Sequence, residues 1–444
     1  MSSTISLYDF QNSAPQLGEL DFLNMVGPDG LDVDSERETC ADKIHISLSD
    51  QQGGHGYFYD VSINGDLQRH LSQEDLARMS RSGFGGCAYS NHIAEVRLQL
   101  DSKGLPSSAK GVTVFVIGED KGSSHEQAIA RTISGPLGLA QGADVQLRTT
   151  GAYGKYIDAH PATRGWGPQP PLWQYAQLGV AQLEADLHAV REEIKAVRST
   201  VPADGRTRIV SMSWGKDIAT VAGELAMRVA PGSDAWSAGV EPVEQRLRRR
   251  IDAGNPDDAA QVRRELAHQL ADEMGRQLTD AVNAEKFRKL KSDLQGEVNK
   301  ATNKGLVIFN AAGNDADFAR RVLGNEGLST MVTDSINGPI SVGAVDLRKR
   351  TIWERSASSR IAAPGVELPV GTNNGAAMNV NGTSFAAPYA ASVAALMVAA
   401  NPKITPGQIK AILTSATVTT GLADGTRMID PVAAVAEAEK LASK

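Results

Sequence analysis

Cysteine is nearly absent from this 444-residue chain. Only Cys40 and Cys87 occur, and no C-x-x-C spacing is present. Neither a zinc cluster nor a thioredoxin-like redox pair is therefore expected, and two free thiols in a reducing compartment are the expectation. Long hydrophobic runs are missing too. The longest apolar stretch, residues 390–400 with one serine, is far short of a membrane span. The opening residues show neither the basic start nor the apolar run of a signal peptide, so a cytoplasmic location is expected. Positive charge is not in excess. A formal net charge of -7 argues against nucleic acid as the main partner. What remains is ordinary for a globular protein: 41% apolar and 22% charged residues.

The length calls for two or three domain-sized units, or one large α/β domain with additions. Residues 1–105 read as a separate α+β unit. Two strands are expected at 43–49 and 57–63, a turn at Asn64-Gly65, and a short helix over 72–79 capped by Ser72. A Ser/Gly/Lys-rich linker follows at 102–111. From residue 112 the texture changes. The run 112–117 is apolar but for Thr113, as in a parallel strand buried on both faces. Further strands are expected at 143–147, 208–212 and 305–310, and helices at 125–133 and 172–198. In the second helix Val180, Leu183, Leu187, Val190, Ile194 and Val197 form one apolar stripe. This alternation predicts a mainly parallel sheet with helices on both faces. A helix-rich block at 216–304 interrupts it. There Val262, Leu266, Leu270, Met274 and Leu278 recur every four residues among many charges. The block is read as a solvated helical hairpin packed by one face, or else as an oligomer or partner surface.

Near the C-terminus stands Asn381-Gly382-Thr383-Ser384-Phe385-Ala386-Ala387-Pro388, followed by an apolar helix to Ala400. A glycine turn opens a buried helix, with a serine in its first turn. Free N–H groups and the positive dipole end favour developing negative charge there. Pro388 is expected within the first turn, where its missing N–H costs nothing. The same pattern also suits a helix merely capped by Ser or Thr. However, G-T-S-x-A-x-P is the nucleophile motif of the subtilases, and it is complete here.

From this point the chain resembles that family over about 112–438, less the helical block. Ile340-Ser341-Val342-Gly343-Ala344-Val345-Asp346 is similar to a family strand, and Ala362-Ala363-Pro364-Gly365-Val366 to its A-P-G turn. The resemblance implies a three-layer α/β subtilase fold and a serine endopeptidase with Ser384 as nucleophile. Phe309-Asn310-Ala311-Ala312-Gly313-Asn314 matches the family's A-A-G-N. That match implies that Asn314 donates to the oxyanion together with the Ser384 N–H. Ser211-Met212-Ser213-Trp214-Gly215 resembles the S-x-G substrate strand. Ser213, Trp214 and Gly215 would then face Ala311, Ala312 and Gly313 across the primary specificity pocket, with a floor somewhere in 318–334.

The first half of the triad departs from the family. His125-Glu126-Gln127-Ala128-Ile129-Ala130-Arg131-Thr132-Ile133-Ser134-Gly135 resembles H-G-T-H-V-A-G-T-I-A-G, which implies His125 as general base. Gly-Thr-His after the histidine has become Glu126-Gln127-Ala128. The family's acid ends the first strand in D-T/S-G, but here the strand ends Val116-Ile117-Gly118-Glu119-Asp120. Only 121–124 separate Asp120 from His125. Asp120 is the expected acid, Glu119 the second candidate, an acid from the N-terminal unit the third; a dyad or a dead site completes the possibilities. The family's calcium site uses the shortened stretch, so no metal or other cofactor is expected. A polypeptide substrate is expected, with neither nucleic acid nor membrane as partner, and an oligomer contact through 216–304 is possible. Residues 1–105 would be a prodomain removed by self-cleavage or a permanent accessory domain. The rival to an active peptidase is an inactive subtilase-fold peptide-binding or assembly protein.

Overall fold

The computed structural model describes residues 44–48, 58–63, 66–72, 88–118, 124–135, 137–163, 170–371, 377–415 and 418–443. Both cysteines, Glu119 and Asp120 lie outside them.

Three N-terminal strands, β1 (Ile44–Leu48), β2 (Phe58–Ile63) and β3 (Asp66–Ser72), form an antiparallel sheet. Ile63 opposes Asp66 across the expected Asn64-Gly65 position. Ser72 is the last residue of β3, and residues 73–79 of the expected helix lie outside the described residues.

Helix α1 (Ala88–Ser102) follows. Tyr89, Ile93, Val96 and Leu100 recur on one face, and all four join the main core. His92 Nε2 lies 2.7 Å from the Tyr389 hydroxyl, deep in the C-terminal half. Residues 88–105, grouped with the N-terminal unit by sequence texture, thus pack into the large domain. Periodicity identifies a helix face but not the element that covers it.

The large domain begins with β4 (Thr113–Ile117), α2 (Ser124–Ser134), β5 (Asp144–Arg148), α3 (Ala152–Ala159) and α4 (Leu172–Thr200). Next come β6 (Arg208–Met212) and four helices: α5 (Ile218–Arg228), α6 (Asp234–Leu247), α7 (Pro256–Thr279) and α8 (Ala281–Asn303). The chain returns through β7 (Leu306–Ala311), α9 (Ala316–Arg321), β8 (Ile340–Asp346), β9 (Thr351–Ile352) and β10 (Ile361–Pro364). It closes with the hairpin β11 (Leu368–Gly371) and β12 (Ala377–Val380), α10 (Thr383–Ala400), α11 (Pro406–Leu413), β13 (Thr419–Gly421), β14 (Arg427–Ile429) and α12 (Pro431–Ala442).

Strands β14-β10-β8-β7-β6-β4-β5 pair in parallel, while β13 and β9 add antiparallel edges. Side chains alternate between two cores, as the pleat demands. Val114, Val116, Ile209 and Phe309 face the layer of α1, α2, α10, α11 and α12. Phe115, Ile117, Val210 and Ile308 face the layer of α3, α4, α5, α7 and α8. This is the expected three-layer α/β fold. Helix α10 is apolar and long enough to cross a membrane, but 89% of it is buried inside the protein.

The block 216–304 holds four helices rather than a hairpin. Val262, Leu266, Leu270 and Met274 are fully buried in the second core, and Leu278 packs against it. The apolar stripe is therefore covered within the chain, by α4, α5 and α6.

Candidate active site

The register of the sheet brings three strand ends to one level. Ile117 pairs with Met212, and Met212 with Asn310. The segments beginning at Gly118, Ser213 and Ala311 thus emerge side by side at the carboxyl edge of a parallel sheet, the usual place for a site in this architecture.

Ser384 reaches that edge from α10. Gly382 is the N-cap, at φ +154°, and no side chain caps the helix. The Gly382 N–H donates to the Gly365 carbonyl just past β10 (2.8 Å), which fixes the turn. The Thr383 hydroxyl turns away from the helix and accepts from the Gly313 N–H (3.1 Å). The capped-helix explanation of this serine is thereby removed. Pro388 is the sixth residue of α10, past the first turn. It therefore deprives the Ser384 carbonyl of its helical partner, contrary to the first-turn expectation.

Asn314 is held by the same threonine. The Thr383 N–H donates to Asn314 Oδ1 (2.8 Å), and the Thr383 hydroxyl does so at 2.9 Å. A backbone N–H only donates, so the atom facing it is the amide oxygen and Nδ2 must face away. Nδ2 faces a space one methyl group wide. A Cβ on Gly382 would lie 3.5 Å from Asn314 Nδ2, 2.9 Å from Ser384 Oγ and 3.6 Å from the Ser384 backbone nitrogen. Two nitrogens and one hydroxyl oxygen thus lie within 3.6 Å of one point, which only glycine leaves open.

The two expected substrate walls are adjacent strand ends. Ser213, Trp214, Ala311 and Ala312 are all buried. A Cβ on Gly215 would meet Met331 Sδ at 2.5 Å, and one on Gly313 would meet the Ser329 carbonyl at 2.9 Å. The Val332 N–H donates to the Lys216 carbonyl (3.1 Å). Residues 329–332 therefore cross beneath both walls, inside the interval where the floor was expected.

Each wall runs into a buried acid. Asp217 Oδ1 accepts from the Thr220 N–H (2.7 Å), and Asp217 Oδ2 from the Thr220 hydroxyl (2.9 Å). Asp315, next to Asn314, also accepts from that hydroxyl. One hydroxyl proton cannot serve two carboxylates, so the arrangement is satisfied when one acid keeps its proton. Burial, reinforced by the charge of Asp315, pushes Asp217 up to about 8, and burial also raises Asp315. The folded protein holds a proton that the unfolded chain releases above about pH 4, so this pair's stability is lost as pH rises towards 8. Asp217→Asn should raise the Tm most at pH 8 and little at pH 4. Parallel Tm curves across that window, read by calorimetry, would contradict the shared proton.

His125 stands at the start of α2, its ring edge-on to Phe385 at 5.7 Å between centroids. It is exposed overall, yet desolvation by the protein around it lowers its pKa. Among the described residues no hydrogen bond joins it to Ser384; such bonds commonly tighten only when substrate binds. Asp120 and Glu119 lie outside the described residues. A further acid, Glu126, was not among the candidates that the sequence suggested. It is buried and has its carboxyl group at the Cα of Gly118: a Cβ there would lie 2.6 Å from Glu126 Cδ. The signal available in sequence was the glycine at 118 together with the acid directly after the histidine. Among the described residues no three His, Cys, Asp or Glu side chains converge to hold a metal ion.

A sequence profile described as "Subtilase family" matches residues 176–431, more than half of the chain. That span includes Ser213, Asn314 and Ser384 but not α2. Subtilisin amylosacchariticus from Bacillus subtilis subsp. amylosacchariticus is 34% identical over 121 residues, 26% of this chain and 30% of that protein. Subtilisin from Bacillus pumilus is 33% identical over 121 residues, 26% of this chain and 41% of that protein. The chain thus spans less than half the length of these curated relatives. A cold-adapted subtilisin-like serine proteinase superposes with a TM-score of 0.40 at 16% identity, over 73% of this chain and 89% of that one. MycP1 from the ESX-1 type VII secretion system gives 0.41 at 18%, over 78% and 84%. The profile match over more than half of its length, on a chain whose Ser384 helix, Asn314 amide and adjoining strand ends meet at one sheet edge, places this chain in the subtilase family.

Proposed function

We propose that the chain is a serine endopeptidase acting through an acyl-enzyme. Ser384 Oγ attacks the carbonyl carbon of the scissile peptide, and His125 accepts the hydroxyl proton. The carbonyl electrons move onto oxygen, which Asn314 Nδ2 and the Ser384 N–H then hold. His125 returns the proton to the departing amine, and water repeats the sequence to release the acid. Extended substrate pairs with the backbone edges of 213–215 and 311–313. The observation that supports this reading best is the Asn314 amide: Thr383 holds its oxygen, so its nitrogen faces the same methyl-sized space as Ser384 Oγ.

The missing Ser384–His125 bond and the glycine at 118 favour one rival, an inactive peptide-binding subtilase fold. A fluorophosphonate probe separates the two. Labelling of the wild type, mapped to Ser384 by peptide mass spectrometry, supports the peptidase. Absence of labelling in folded protein supports the binding module.

Met331 narrows the floor between the walls, which favours small side chains at the residue preceding the cleaved bond. Met331→Ala should raise kcat/KM for leucine over alanine at that position by about tenfold, the worth of one or two methylenes in a pocket. A ratio unchanged across a peptide library would show that the floor lies elsewhere.

A further inference from the structure

The ladder between the two substrate walls ends with the pair Met212 and Asn310. Asp217 and Asp315 each stand five residues further on, at matching places in the two walls. Between those points both segments are irregular. A crevice at the carboxyl edge requires the strand ends to part, which leaves their spacing to side chains.

Thr220 spans the gap. It sits in the first turn of α5, whose N-cap is Asp217. Its N–H donates to Asp217 Oδ1 (2.7 Å), so the helix start fixes where its side chain stands. Its hydroxyl lies 2.9 Å from Asp217 Oδ2 and also bonds Asp315 Oδ2. The remaining contacts of the second wall run to residues that follow it. The Gly313 N–H donates to the Thr383 hydroxyl (3.1 Å), the Ala357 N–H to the Gly313 carbonyl (3.0 Å) and Arg355 Nε to the Asn314 carbonyl (3.2 Å). Thr220 ties the end of that wall to the first one.

The charges facing the pair decide where its proton rests. Lys216, beside Asp217, is paired with Glu224 of α5 (3.0 Å). Arg355 comes within 3.8 Å of Asp315 Oδ1. Helix α9 brings Asp317 and Arg321, which pair with each other, and Arg320, which pairs with Glu326. Helix α10 carries no charged residue. Arg355 favours the charged form of Asp315, so Asp217 keeps the proton. Asp217 then donates to Thr220 Oγ, and the Thr220 hydroxyl donates to the Asp315 carboxylate. Loss of that proton leaves two carboxylates facing one hydroxyl, which can donate to only one of them.

We infer that Thr220 is a positioning residue of the site: with Asp217 and Asp315 it clasps the ends of the two substrate walls, and so holds the pocket width and the Asn314 amide. Its effect on turnover rests on the peptidase reading, but the clasp does not.

Hydrogen exchange read by mass spectrometry tests the clasp without reference to activity. At neutral pH, Thr220→Val should speed exchange in peptides spanning 311–316 and 329–333 by about five- to tenfold, the worth of one buried hydrogen bond. Thr220→Ser should restore the wild-type rates. Unchanged exchange in Thr220→Val overturns the inference. Asp217→Asn supplies the same link with no proton to lose, because its Nδ2 donates to Thr220 Oγ at any pH. Burial and the charge of Asp315 push Asp217 up to about 8. Wild-type exchange, corrected for its intrinsic pH dependence, should therefore rise as the pH passes that value and stay flat in Asp217→Asn. Identical profiles overturn the inference, even where Thr220→Val does not fold. In the active enzyme, Thr220→Val should lower kcat by about 10–10²-fold, the cost of shifting a catalytic group by up to about 1 Å. Faster exchange with unchanged kcat would make the clasp structural alone and overturn the positioning role. A wild type that takes no serine probe sinks the peptidase reading alone, and exchange still decides the clasp.

Discussion

Replacing Ser384 with alanine is expected to lower kcat by about 10⁶ while leaving the fold as stable as before. The size of the kinetic effect is the one that subtilisin shows when it loses its own nucleophile. The stability half of the expectation follows from the hydrogen bonds around the turn. Among the described residues Ser384 caps no helix end: the N-cap is Gly382, and the Thr383 hydroxyl is bonded to Asn314 and Gly313. Alanine is also the better helix former by a few tenths of a kcal/mol. Thermal melting should therefore give a Tm within about 2 °C of wild type, or slightly higher. Hydrolysis of a casein-type substrate should fall to background. Retained hydrolysis would mean that another group is the nucleophile. A large fall in Tm would mean that the serine is structural, and the peptidase reading would lose its main support.

Asn314→Asp should be nearly as damaging to turnover, and it is a cleaner variant than alanine. Aspartate is isosteric and keeps the oxygen that accepts from the Thr383 N–H and hydroxyl. The loop after β7 therefore stays attached to the start of α10. What changes is the atom facing the space beside Ser384 Oγ, where a donor becomes an acceptor carrying negative charge. Loss of one such donor costs roughly 10²–10³ in kcat in subtilisin, and charge repulsion adds to it. KM should move little, because the oxyanion forms only in the transition state. Asn314→Ala, by contrast, removes the anchor as well and should lower the Tm. Full turnover in Asn314→Asp would show that the oxyanion forms elsewhere.

The parts that are legible in the sequence share one property: their signal is local. Runs such as 112–117 and 208–212 are mostly apolar because parallel strands are buried on both faces, and β4 and β6 appear there. The Gly382-Thr383-Ser384 turn can be read because the turn and its helix are written in consecutive residues. Asp120 and Glu119 stand out as acids because they follow the strand closely in the sequence, and proximity along the chain is the sole guide a sequence offers. Glu126 escapes notice for the same reason: it sits on a helix face, and only the packing of α2 against β4 brings its carboxyl group to Gly118.

Sequence by itself determined the class of fold, the position of the helix that opens at Gly382-Thr383-Ser384 and the residue types at the sheet edge. These follow from hydrophobic period, glycine placement and one continuous motif. The tertiary structure decided the rest. It oriented the Asn314 amide through a threonine 69 residues away, laid 329–332 across two strand ends, joined Asp217 and Asp315 through one hydroxyl, and drew α1 into the large core. Each of these depends on side chains meeting across elements distant in the chain, and no local pattern specifies which elements meet.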